Sequence, residues 1–439
     1  MAKTHGSWRM AAVAVVGVAV MWQFVLSPKP PSVEKADPRK MAHPLPDQPS
    51  IAVLPFVNMT GDPQQEFFSD GLTEDITTAL SKVPNLFVIA RNSTFTYKGK
   101  PVKVQQVAED MGVRYVMEGS IQKAGDRVRI TAQLIDALKG HHIWSERYDR
   151  EMKELLALQD TIALEILKAL AVKLGGERAR IIGKNTDNLE AYIKAMQFWQ
   201  FLGQFNKESN AQARQLAEEV IRLDPRWGGG YHALAVVNEL DVWLGMSKSP
   251  KESLMKAIEL DQKAISLDDS FARAQAHMGF LYVQIREHEK GLAACERAIE
   301  IAPNSADSYS FLAQVLNYSG RAEEAVALIE KAFRLNPFPS PSYYFYAAHT
   351  YRLIGRYEDA VRMCKECLAR WPNNIVAQVA LAFNYAAWGR DEEARAAAQD
   401  VLRIDPKFSA QRYARAFPYR DPALATQVLE LMRKAGLPD

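Results

Sequence analysis

Cys364 and Cys367 have the Cys-x-x-Cys spacing of redox dithiols and of half a zinc site. A zinc site needs four ligands, and no second such pair and no histidines at ligand spacing accompany this one. Both cysteines fall on the second helix of a repeat, where a small or medium apolar side chain is expected. Cys295 falls at the equivalent place in an earlier repeat. Free cysteine behaves as a small hydrophobe when buried, so all three are expected to pack rather than react. His141-His142 precedes Ile143 in a turn, and two adjacent histidines do not converge on one metal without further ligands. Asp70, Glu74 and Asp75 gather at a helix start, where carboxylates favour the positive end of the dipole; capping and solvation are the expected roles. Gly228-Gly229-Gly230 lacks the Lys-Ser/Thr of a phosphate loop, and no Gly-x-Ser-x-Gly elbow occurs. The residues therefore predict a chain that is not an enzyme, with no cofactor and no metal.

The elements that carry these residues are read from composition and period. The chain has 439 residues, enough for two or three domains. Hydrophobic residues make up 48% and charged residues 24%, which is the balance of a folding chain. A formal net charge of +2 leaves no basic face for nucleic acid. Three cysteines are too few for a disulfide scaffold.

Residues 1–9 read as a cytoplasmic tail and 10–26 as a transmembrane anchor. Met10 to Leu26 has one polar member, Gln23, with Lys3 and Arg9 before it and Trp8 and Trp22 near its ends. The bulky run Met21 to Leu26 argues against a cleaved signal peptide. Residues 27–49 hold Pro28, Pro30, Pro31, Pro38, Pro44, Pro46 and Pro49, which predicts an extended, unpacked spacer. With the N-terminus inside, the expected localisation is the inner membrane, single-pass, with the bulk of the chain periplasmic.

Residues 50–176 alternate strand and helix signals. Ile51 to Phe56 and Leu86 to Ala90 read as strands, Gln65 to Leu80 as a helix and Val104 to Met111 as a shorter one. Tyr115 to Lys123 and Arg127 to Ala137 form a hairpin whose second arm alternates Val128, Ile130, Ala132 and Leu134 with polar residues. Ile143 to Tyr148 adds a strand, and Leu155 to Leu174 a long helix ended by Gly175-Gly176. The segments Ile51 to Phe56, Phe68 to Ile76, Phe87 to Ser93, Gly112 to Ser120, Arg129 to Asp136 and Trp144 to Asp149 resemble the TolB-like (FlgO-like) α/β domain. That domain accompanies bacterial class III adenylate cyclases and membrane-bound winged-helix regulators. The resemblance implies architecture and no defined chemistry.

Residues 189–406 repeat. Six helix ends close alike, at Pro225, Asp269, Pro303, Pro337, Pro372 and Pro406, at intervals of 44, 34, 34, 35 and 34. The 34-residue period is that of tetratricopeptide repeats, helix pairs that stack into a solenoid. Gly320, Gly355 and Gly389 sit where the first helix of a pair ends. About ten extra residues around Val242 to Lys251 predict an inter-helix loop, and the degenerate first repeat is expected to abut the α/β domain. Residues 407–439 are expected to cap the open end with a helix from Pro422 to Ala435. The fold class expected is thus an α/β domain followed by an all-α solenoid, preceded by one transmembrane helix.

A solenoid of this kind offers its first helices as a concave groove. The candidates for peptide binding are Gln314, Asn317, Phe345, His349, Arg352 and Phe383, whose aromatic, amide and basic groups suit an extended peptide or a carboxylate. The expected function is a membrane-anchored, non-catalytic interaction scaffold or sensor component with a protein or peptide partner; self-association is left open. The alternative is an accessory protein of an adenylate cyclase-type signalling system. Only nine residues precede Met10, so an effector domain of its own is not expected.

Overall fold

The computed structural model describes residues 34–62, 65–172, 186–202 and 206–439. The proposed anchor 10–26, the first prolines of the spacer and Gly175-Gly176 lie outside the described residues. No described helix is long and apolar enough to cross a membrane.

The α/β domain is built on β1 (Ser50–Val53), β2 (Val57–Asn58), β3 (Phe87–Val88), β4 (Tyr115–Ala124), β5 (Arg127–Asp136) and β6 (His141–Glu151). They form one mixed sheet in the order β3-β1-β4-β5-β6, with β2 paired to β4. β1 runs parallel to β3 and β4, while β4, β5 and β6 are antiparallel neighbours. Helices α1 (Glu66–Ser81) and α3 (Leu155–Ala169) cover one face, where Phe68, Leu72, Ile76, Leu158 and Ile162 meet Val53, Met117 and Ile130. Helix α2 (Val104–Met111), closed by Gly112 at φ +60°, covers part of the other.

The rest of that second face is covered by the C-terminal half, a core that alternation alone did not reveal. Ala332, Leu335 and Tyr343 share one cluster with Ala52, Val116, Ile135 and Met111. The spacer joins in, contrary to the unpacked tether expected for 27–49. Ala36 is buried, its N–H bonds to Ala137 O at 2.9 Å, and Ala42 N–H bonds to Glu109 O at 2.9 Å. Proline frees a chain from ladders, but the non-proline amides between still find acceptors when a small side chain can enter a core.

The C-terminal half is six helical hairpins: α4 (Leu189–Leu202) with α5 (Lys207–Leu223), α6 (Gly228–Trp243) with α7 (Pro250–Leu267), α8 (Ala272–Gln284) with α9 (His288–Ile301), α10 (Ala306–Tyr318) with α11 (Ala322–Leu335), α12 (Pro341–Leu353) with α13 (Tyr357–Arg370), and α14 (Ile375–Trp388) with α15 (Asp391–Ile404). Gly320, Gly355 and Gly389 end first helices at φ +81°, +78° and +77°, where a Cβ would be strained. The triple glycine opens α6 for packing: a Cβ on Gly228 would stand 2.8 Å from Ala264 O. Of the extra residues around Val242 to Lys251, only 244–249 form the turn between α6 and α7; Val242 and Trp243 extend α6, and Pro250 and Lys251 begin α7. Two more helices, α16 (Ala410–Arg415) and α17 (Pro422–Lys434), close the end, with Val428 and Met432 in the core.

The α/β domain does not meet the first repeat alone. Tyr192 of α4 bonds to Asp75, Arg273 of α8 to Glu74, and Asn304 Nδ2 to Val83 O. Arg334 of α11 donates to the carbonyls of Met111 and Gly112. The interface therefore draws on the first, third and fourth hairpins and, through Tyr343 of α12, the fifth, and fixes the domain along the solenoid.

Candidate functional site

The six groove candidates lie where first helices α10, α12 and α14 face inward, and the structure brings them together. They do not line an open surface. Gln314, Asn317, His349, Arg352 and Phe383 are buried, and Phe345 is half-buried. The cover is the chain itself: the segment between α16 and α17 enters the groove, and Tyr419 is 0% exposed. Phe417 lies against Phe345, and Tyr419 packs edge-on to His349 and Tyr318.

The polar contacts of Tyr419 form one chain. Arg352 Nη2 donates to its hydroxyl at 2.8 Å, and His349 Nε2 lies 2.6 Å from the same oxygen. His349 Nδ1 is 3.0 Å from Gln314 Oε1, which also accepts from Asn317 Nδ2 at 3.1 Å. Since Gln314 Oε1 can only accept, His349 carries its proton on Nδ1 and accepts a hydrogen bond from the Tyr419 hydroxyl on Nε2. Burial, helped by the Arg352 charge, holds His349 neutral, well below the usual imidazole value. Arg286 Nη1 donates to the Tyr419 carbonyl at 2.7 Å. Asn317 bonds across to Thr350, and Phe383 lies under the Arg352 guanidinium.

A second concentration of polar groups was not foreseen. Between α1 and the first helices α4, α6, α8 and α10 lies a chamber of about 780 Å³, walled by Glu74, Asp75, Trp199, His232, Arg273 and Phe311. The acidic cluster of α1 is thus not a solvated first turn. Glu74 pairs with Arg273 and Arg91, Asp70 with Lys98, and Asp75 accepts from Tyr192 at 2.6 Å. The sequence signal was only a helix start, and Arg273, which meets Glu74 inside the chamber, is remote in the chain.

His232, Asp261 and His277 place ligand atoms within 4.8 Å of one another behind this wall. Ligands of one tetrahedral zinc stand roughly 3.3 Å apart, given bonds of about 2.0–2.1 Å. Here Asp261 is 2.8 Å from His232 Nδ1 and 2.6 Å from His277 Nδ1, which are hydrogen-bond lengths. His277 Nε2 is committed to Glu239 at 3.0 Å. The cluster is a proton-bridged ion network. Burial alone would lower His277, but Asp261 and Glu239 outweigh it and raise the imidazole to about 10. The histidines come from neighbouring hairpins but one position out of step: counted from Pro225 and Asp269, His232 aligns with Ala276 and His277 with Ala233, so the period gave no signal.

Burial pushes the Asp75 carboxyl up to about 7, with the Glu74 charge adding and the Tyr192 hydroxyl opposing. Folded Asp75 keeps a proton that the unfolded chain releases near ~3.9. Its stabilisation is fully present below that value and lost as pH rises through about 7. Asp75→Asn keeps an acceptor for Tyr192 without the charge. Thermal melts at pH 5 and pH 8 should show the variant gaining on the native chain at pH 8; an equal difference at both would contradict the assignment.

The cysteines pack in the core, as their repeat positions predicted. Cys364, Cys367 and Cys295 are buried and free, and burial raises the Cys364 thiol to about 12 and Cys367 to about 11. His141 and His142 are adjacent in β6, so their side chains point to opposite faces.

Three regions match tetratricopeptide repeat families, residues 272–305, 306–339 and 355–416. The C-terminal half is a tetratricopeptide solenoid. Residues 47–165 match the second domain of HilA/YgeH-like transcriptional regulators. The chain is 43% identical over 243 residues to "Putative adenylate cyclase 3" of Rhizobium meliloti, covering 55% of this chain and 41% of that protein. It is 23% identical over 331 residues to the transcriptional regulator HilA of Salmonella typhimurium, covering 74% of this chain and 57% of that one. The chain therefore spans about half the length of these relatives. Among solved structures it is similar to YrrB, a TPR protein with an unusual peptide-binding site, at 19% identity and a TM-score of 0.31 over 44% of this chain and 93% of that one.

Proposed function

We propose that this chain is a non-catalytic, membrane-anchored interaction scaffold or sensor component whose solenoid takes a protein or peptide partner in its concave groove. The observation that carries this reading is Arg352. It is a buried guanidinium with no ion pair among the described residues, and its hydrogen-bond acceptor is the hydroxyl of a segment lying in the groove like a ligand. Buried arginine is normally matched by a carboxylate, because removing the charge from water costs several kcal/mol. A groove floor built this way is suited to binding. The apolar run 10–26 supports an inner-membrane anchor with the bulk of the chain periplasmic.

A second reading is an accessory role in an adenylate cyclase-type signalling system. It is favoured by the 43% identity to the Rhizobium meliloti relative over 55% of this chain. Under both readings the partner engages the groove.

Crosslinking and affinity capture from intact membranes test this. The native chain should retain a discrete partner that is lost when Phe345, His349 and Arg352 are all replaced by alanine. Identical partners in both, or none, would remove the groove from the account.

A further inference from the structure

Tyr419 is held by a buried cation that has no counter-ion among the described residues. Arg352, 5% exposed, lies beneath its hydroxyl and forms no ion pair with a carboxylate, while the exposed Arg286 donates to its carbonyl. The Arg352 Nε is buried without any hydrogen-bond partner. The neighbouring segment cation, Arg420, is by contrast matched by Glu289. A phenol oxygen is a weak acceptor for a buried guanidinium; a carboxylate accepts two parallel N–H bonds in the fork geometry.

The amides around the pocket add a second observation. Gln314 Nε2 and Asn317 Oδ1 are buried and unpartnered. Rotating both amides lets Gln314 donate to His349 Nδ1, and the imidazole then carries its proton on Nε2. The network thus has two directions. In the resting one His349 accepts from the phenol; in the other it donates to an oxygen that brings no proton. Only the second suits a carboxylate, which is an acceptor alone.

We propose that the Arg352–His349–Arg286 pocket is a recognition site for a carboxylate-bearing peptide of a partner protein, kept closed by residues 416–421 with the Tyr419 hydroxyl in the place of the carboxylate. This rests on the groove reading above and gives it a ligand chemistry and a resident competitor. The occupying segment lies between the short helix α16 and the terminal helix α17, at the end of the solenoid. It can leave without unstacking the six hairpins, since each repeat contacts mainly its neighbours.

The test uses the full chain with Tyr419→Ala, which empties the pocket. The probes are two amidated six-residue copies of positions 416–421. One carries 4-carboxyphenylalanine in place of the tyrosine, the other the neutral 4-carbamoyl analogue. Isothermal titration should give at least ~tenfold tighter binding of the carboxylate peptide, as expected for a charge-assisted bidentate pair. That preference should vanish when Arg352→Met is added. Equal binding of the two peptides, a preference that survives Arg352→Met, or binding of neither to a folded chain would overturn the proposal. If Tyr419→Ala loosens the cap, Tyr419→Phe keeps the stacked ring and deletes only the acceptor; both peptides then bind more weakly, because the ring still fills the pocket, but the carboxylate preference should remain. Capture of a membrane partner that survives Arg352→Met would leave the scaffold reading standing and remove the carboxylate site.

Discussion

Replacing His277 by alanine should cost the fold roughly 3–5 kcal/mol, the loss seen when one partner of a buried ion network is deleted. His277 is the only cation within hydrogen-bond reach of Asp261 and Glu239 among the described residues, at 2.6 and 3.0 Å. Asp261 is fully buried, and its carboxyl is held below the usual range, against burial, mainly by the His277 charge. Without the imidazolium, Asp261 keeps only a hydrogen bond from neutral His232. Both carboxylates must then protonate or the hairpin pair α6–α8 must open. The pH dependence identifies the cause. The folded imidazole is raised to about 10, so its stabilisation is fully present below the unfolded value of ~6.5 and is lost as pH rises through about 10. Denaturant melts of the native chain should weaken over that alkaline window, and His277→Ala should be flat across it. A variant that loses less than ~1 kcal/mol, or keeps the alkaline slope, would contradict the network.

Tyr192→Ala should be comparably severe, about 3–5 kcal/mol, as for a large buried aromatic. Tyr192 is 1% exposed and joins the two halves of the molecule. Its hydroxyl donates to Asp75 of α1 at 2.6 Å and accepts from Gln159 of α3 at 2.7 Å. The helices approach closely here: a Cβ on Gly71 would stand 2.9 Å from that hydroxyl. Tyr192→Phe keeps the ring and isolates the polar part, for which about 1–3 kcal/mol is expected, because Asp75 and Gln159 lose a buried partner. The alanine variant should also expose α1 to hydrogen exchange before the solenoid. Uniform loss of protection in both halves would mean that Tyr192 does not hold the interface in particular.

The period and alternation of the sequence were sufficient for the elements. Val104 to Met111 and Pro422 onward are helices within one residue of expectation, and β4 and β5 form the expected hairpin, with a turn one residue tighter than read, since Ala124 pairs with Arg127. Two strands were shorter than read: Ile51 to Phe56 contracts to Ser50–Val53 and Leu86 to Ala90 to Phe87–Val88. An apolar run marks burial, whereas ladder pairing also needs a neighbour at the right register.

The sites were legible only in part. The inward face of α10, α12 and α14 follows from helical geometry, so the six candidates converge as the repeat predicts. That a phenol from residue 419 would cover them does not follow, because no local pattern ties a segment outside the period to a groove 67 residues earlier at Arg352. Glu74 and Asp75 were misread for the same reason: their partners Arg273 and Tyr192 are 199 and 117 residues away. His232 and His277 were hidden too: aligned on Pro225 and Asp269 they fall opposite Ala276 and Ala233, so no pair of equivalent titratable positions marks them.

The most direct measurement places a photo-crosslinking phenylalanine at position 345, beside Phe417, in living cells, and maps the adducts by mass spectrometry. The account predicts two products: an internal crosslink to residues 416–421, and an adduct with a peptide of another protein that disappears on Arg352→Met. Internal crosslinks alone, under every growth condition tried, would mean that the segment is a permanent cap and that the groove serves no partner.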